Sequence, residues 1–72
     1  MTKLELLAEV ALLLDLPAHG LIRGQVGTVV EMLSPEAVEV EFSDDAGRSY
    51  ATAAVTTRDL VRLHHAPLEE VA

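Results

Sequence analysis

The most constraining stretch of the chain is Val38-Glu39-Val40-Glu41-Phe42, with Asp44-Asp45-Ala46-Gly47 one residue behind it. Strict alternation of apolar and acidic residues has the period of a strand with one face buried and one in water. A helix would wind these carboxylates into any core that the valines could build. The four residues Asp44 to Gly47 read as a turn, with Gly47 placed to take the left-handed conformation. A second strand-like run covers residues 48–55. A hairpin with the three-residue loop 45–47 is therefore expected. It would set Asp44 opposite Arg48, Phe42 opposite Tyr50, Val40 opposite Thr52 and Val38 opposite Ala54. On the other face Glu41 would meet Ala51, and Glu39 would meet Ala53.

The rest of the chain extends this pattern. Gly20, Gly24 and Gly27 punctuate a loop that leads into the β-branched run 26–33, and Ser34-Pro35-Glu36 reads as a turn. Placing Val30 and Met32 on the core face with Val38 forces Glu31 onto the face of Glu39 and Glu41. Residues 56–60 read as one capped helical or 3-10 turn, and 61–64 as a short closing strand. The first residues fit two patterns. Leu4, Leu7, Ala8, Ala11 and Leu14 share a helical face, while Val10, Leu12 and Leu14 also alternate as a strand would. The reading divides them into a short helical turn over 2–8 and a strand over 9–16, stopped by Pro17. The expected fold is all-β: a small SH3-like barrel of about five strongly bent antiparallel strands, with a short N-terminal helical turn. Its expected core is Val10, Leu12, Leu14, Val30, Val38, Val40, Phe42, Tyr50, Leu60 and Leu63. Residues 1–66 are expected to form a single domain and 67–72 an acidic tail.

Composition narrows the functions open to such a fold. Twelve acidic residues against five Lys and Arg give a net charge of −7. That argues against nucleic acid and anionic membrane as partners, since phosphate binding needs concentrated positive charge. One Phe, one Tyr and no Trp leave no platform on which bases could stack. The absence of cysteine excludes disulfides and thiolate chemistry. A 72-residue chain without these staples buries a modest core, which raises the weight of a protein partner or self-association. The apolar start carries Glu5, Glu9 and Asp15 and lacks a basic n-region, so a cytoplasmic location is expected.

No residue constellation points to catalysis. His64 and His65 are adjacent, so on a strand they point to opposite faces, and with His19 they make no metal-ligand spacing. Ser34, Ser43 and Ser49 lie in or beside turns, outside any nucleophile elbow. Exposed carboxylates lack the burial that tunes a catalytic pKa. Arg48 and Arg58 have acidic neighbours in Asp44 and Asp59, which makes local pairing sufficient. The expectation is a non-enzymatic interaction module with no cofactor, no metal and no small-molecule substrate. Its candidate partner surface is Glu31, Glu39 and Glu41 beside Ala51 and Ala53, negative charge next to small side chains. Such a face would accept a basic segment, or a second copy whose arginines offset the charge.

Two motifs carry a family resemblance. Asp15-Leu16-Pro17, followed about ten residues later by Gly27-Thr28-Val29-Val30-Glu31, resembles the signature of a family of small bacterial proteins catalogued as domain of unknown function forty-nine twenty-six. The resemblance spans about 10–63, with Leu14 standing where a polar residue is expected. It implies a small β domain and, from the toxin-like proteins found beside such members, an antitoxin-like or regulatory partner of a co-expressed protein. Gly24-x-x-Gly27-x-Val29 also resembles the KOW motif of SH3-like barrels, which gives an alternative reading as a nucleic-acid-associated accessory domain. KOW segments that bind RNA carry several basic residues near this loop, and here Arg23 stands alone.

Overall fold

The computed structural model describes residues 4–64. They build one antiparallel sheet of five strands: β1 (Glu9–Leu12), β2 (Val26–Ser34), β3 (Ala37–Ser43), β4 (Ser49–Thr56) and β5 (Leu60–Arg62). The strand order is β4-β3-β2-β1-β5, a meander whose last strand returns to pair with the first. This order, with a 3-10 turn before the last strand, is SH3-like. In a flat sheet β4 and β5 would lie four strand spacings apart, about 19 Å. Only the 3-10 turn Thr57–Asp59 joins them, and such a turn advances about 2 Å per residue. The sheet must therefore curl until its two edges approach. It curls round one core, with Val10, Leu12, Val29, Val38, Val40, Phe42, Ala53, Val55 and Leu60 drawn from all five strands. The ladder itself stays open, since no β4–β5 pairing occurs among the described residues.

Two of the three register shifts in the sheet decide which side chains reach that core. The β3–β4 hairpin starts as expected: Ser43 faces Ser49, and the Asp44 N–H donates to the Arg48 carbonyl at 2.9 Å. One step on, the register shifts, so that Phe42 faces Ala51, Val40 faces Ala53 and Val38 faces Val55. Tyr50 is the extra residue. The expected pairing would have turned Tyr50, Thr52 and Ala54 inward, leaving the Thr52 hydroxyl without water. The bulge exchanges them for Ala51, Ala53 and Val55. Tyr50 is instead 48% exposed, and its hydroxyl accepts a bond from the Gln25 amide at 2.7 Å.

The bulge in β2 works the same way. Val29 is fully buried opposite Val40, and strict alternation from there would drive Glu31 into the core. The register shift after Val29 lets Val30 bulge to the surface and sets Glu31 outward, opposite Glu39. Burying an unpaired carboxylate costs far more than exposing one valine. Val30 and Tyr50 are thus removed from the expected core, and Leu14 and Leu63 are only half-buried. Leu4, Ala8, Leu21, Val29, Ala53 and Val55 join it.

The N-terminal segment is not helical among the described residues. The Ala8 N–H donates to the Glu5 carbonyl at 3.0 Å, closing a β-turn in which Leu7 has φ 69°. β1 stops at Leu12, short of the expected 16. Residues 13–25 then form a long loop pinned by Asp15, whose carboxylate accepts from the Arg23 N–H at 2.8 Å. Leu16 bridges Leu21, which is 1% exposed, round the 3-10 turn Pro17–His19. The Asp-Leu-Pro motif is therefore a loop staple. The expected tail, 67–72, lies outside the described residues.

Candidate functional site

The outward face of the sheet is read directly from the register. Glu39 on β3 lies between Glu31 on β2 and Ala54 on β4, and Glu41 lies between Thr28 and Thr52. Thr28 in turn faces Glu9 on β1. The three expected carboxylates do share this face, and Glu9 adds a fourth from the neighbouring strand. Glu31 and Glu9 are exposed, while Glu39 and Glu41 are half-buried by the strands beside them. The alanines are placed differently. Ala53 is 3% exposed within the core and Ala51 packs against it, so neither stands on the acidic face. The Tyr50 bulge puts Thr52 and Ala54 there instead.

A second feature was not read from sequence. Ala11 points away from the core between Val26 on β2 and Val61 on β5. It is buried without belonging to the core cluster, whereas its two neighbours are exposed. Leu13, exposed beyond the end of β1, continues the apolar row. The row lies two residues along β1 from Glu9, so a small apolar strip borders the acidic rows. Val26 and Val61 sit in runs that look like ordinary core strands. Only the pairing of β1 with both β2 and β5 reveals that they flank the same outward alanine.

The remaining candidates are structural. The Ser34 hydroxyl accepts from the Glu36 N–H at 3.2 Å and closes the β2–β3 turn. Arg48 pairs with Asp44 at 3.4 Å across the hairpin end. Asp59 accepts from the Thr56 hydroxyl and fixes the turn before β5. His19 and His64 are exposed, and His65 lies outside the described residues. No group of three or more His, Asp or Glu among the described residues is arranged to hold a metal ion. No helix there is long and apolar enough to cross a membrane.

A family model described as Domain of unknown function (DUF4926) matches residues 6–62. No curated protein and no solved structure matches the chain. Both motifs of the resemblance fall inside that span, one stapling the long loop and the other carrying β2 across the core.

Proposed function

The chain belongs to the domain-of-unknown-function family DUF4926, and we propose that it acts as a non-enzymatic interaction module. The observation that carries this reading is the outward face of β1–β3. There Glu9, Glu31, Glu39 and Glu41 adjoin the apolar strip Val26, Ala11 and Val61. Charge on that scale steers an oppositely charged partner, and the apolar strip supplies area that gains from leaving water. The partner is a protein with a basic segment and at least one apolar anchor. In its finer form the reading makes that partner a co-expressed cytoplasmic protein, held or regulated in the manner of an antitoxin target. The net charge of −7 and the small size support a protein partner over nucleic acid.

The test is binding of candidate neighbour proteins to the natural chain and to the Glu31→Gln, Glu39→Gln, Glu41→Gln triple variant, at low and high salt. A basic partner binds more weakly in high salt and loses affinity to the variant. A self-associating face gives the opposite pattern in sedimentation, tightening under both changes. A chain that stays monomeric, and whose neighbours ignore the triple variant, would leave this face a solvated surface.

A further inference from the structure

The acidic face ends at an unguarded sheet edge. β4 (Ser49–Thr56) contains no Lys, Arg, Asp, Glu or Pro, and it is the last strand of the sheet. Exposed edges are ordinarily blunted by charges, proline or shortness. The opposite edge, β5, is three residues long and carries the Arg62–Glu5 ion pair at 3.1 Å. On β4 only the bulge at Tyr50 serves that purpose, and it leaves Thr52 to Thr56 regular.

The direction of the backbone groups follows from one bond. The Thr57 N–H donates to the Glu36 carbonyl at 2.8 Å, one step beyond the Ala37–Thr56 pair. Because hydrogen-bonded and non-hydrogen-bonded pairs alternate, Val55 and Ala53 bond to β3, while Thr52, Ala54 and Thr56 aim their N–H and C=O groups away from it. No turn or loop bond engages the groups of Thr52 and Ala54 among the described residues, whereas the Thr56 carbonyl caps the 3-10 turn Thr57–Asp59 and leaves only its N–H to the edge. The side chains of all three are exposed on the outward face, and Thr52 and Ala54 lie directly beside Glu41 and Glu39.

We propose that β4 is a docking edge for an extended basic segment of a partner protein, which adds to the sheet as a sixth strand. The added strand bonds to the N–H and C=O groups of Thr52 and Ala54, and to the N–H of Thr56, through its backbone. Its alternate Lys or Arg side chains lie on the outward face, where they reach over the small Thr52 and Ala54 side chains to Glu41 and Glu39. Two strand spacings, about 9.6 Å, separate the added strand from β3, within the combined reach of a basic side chain and a glutamate. Main-chain bonds supply affinity and alternate side chains supply specificity, as in other strand-addition complexes. The inference rests on the acidic-face reading above and specifies how the partner engages it.

The probe is an eight-residue synthetic peptide alternating valine and lysine, with a valine–glutamate peptide as the control. The lysine peptide should bind, and should slow amide hydrogen exchange at Thr52, Ala54 and Thr56; the glutamate peptide should do neither. Ala54→Pro removes an N–H that faces the open edge and spares the β3 ladder. It should weaken binding by about tenfold or more while the far-ultraviolet spectrum stays unchanged. If that variant does not fold, the peptide N-methylated at the residues that face the edge replaces it and should lose the same affinity. The triple Gln variant should weaken binding and flatten its salt dependence.

Failure to bind the lysine peptide overturns the proposal, as does binding that survives both Ala54→Pro and N-methylation. If that surviving affinity still falls in the triple Gln variant, the acidic face is used by some other docking mode. If the triple variant is also without effect, the acidic-face reading fails too. A pure protein that is dimeric, and becomes monomeric on Ala54→Pro, has a second copy on this edge and likewise overturns the proposal.

Discussion

At the residue scale the backbone is decided by a few positions where a side chain is forbidden or forced. A Cβ built on Gly27 would lie 2.5 Å from Val40 Cγ1 and 2.9 Å from both the Glu41 carbonyl oxygen and the Phe42 ring. The ring and the valine occupy the space that the glycine leaves, and the carbonyl cannot yield without disturbing the β2–β3 ladder. Gly27→Ala is therefore expected to cost about 1–3 kcal/mol, the usual range for overpacking, as measured by urea unfolding. Leu7 is the opposite case. It holds φ 69° as a residue 71% exposed, so it carries left-handed strain with little burial in return. Leu7→Gly should raise stability by roughly 0.5–1 kcal/mol, the left-handed penalty less the added chain entropy of glycine. A lower melting temperature would mean that the leucine makes contacts outweighing its strain. Gly47 has φ 83° in open space, so Gly47→Val should cost about 1–3 kcal/mol through backbone strain alone.

At the element scale the hairpin is held by Asp44. Its carbonyl accepts from the Gly47 N–H, and its carboxylate accepts from the Ala46 and Arg48 N–H groups at 2.9 and 3.0 Å. This anchors the loop at the expected residues, and the bulge at Tyr50 then moves the register by one. Neighbouring alanines report that shift. Ala53 is buried and Ala54 exposed opposite Glu39, so Ala53→Asp should cost more than about 3 kcal/mol, while Ala54→Asp should cost only the roughly 0.2–1 kcal/mol of a like-charge pair. Equal effects in thermal unfolding, or the reverse order, would restore the unbulged register. The same pair separates Ala51 and Ala53, which serve the core, from Thr52 and Ala54, which border the carboxylates.

At the scale of the whole molecule, stability and the proposed function pull in different directions. Glu31 faces Glu39 directly across the β2–β3 ladder in a chain of net charge −7. Like charges so placed are destabilising by roughly 0.2–1 kcal/mol. Glu31→Gln should therefore stabilise the free protein by about that amount, and added salt should raise the melting temperature of the natural chain more than that of the variant. A variant that is more stable and yet binds its partner less well would tie the repulsion to binding. The Ala11 strip makes a parallel case. Val61→Ser should leave the fold within about 0.5 kcal/mol, since Val61 is exposed, and still weaken partner binding.

Much of this architecture follows from local chemistry that a linear sequence carries. Alternation in 38–42 dictates a half-buried strand, Asp44 and Gly47 dictate the hairpin loop, and the two flanking glutamates dictate that one face meets water. The half-buried β3, its hairpin and the shared face of Glu39 and Glu41 come from these terms alone, whereas Glu31 joins that face only through the bulge in β2. The bulges do not come from these terms, because alternation along one strand cannot say where a partner strand slips. That choice compares burying Thr52 and Glu31 with burying Val55 and exposing Val30, and it exists only when both strands and the core are present together. The apolar row across β2, β1 and β5 has the same origin: residues 11, 26 and 61 become neighbours only through long-range pairing. So does the turn at Leu7, where the bond from its N–H to the Val29 carbonyl at 2.7 Å helps hold a backbone that leucine disfavours.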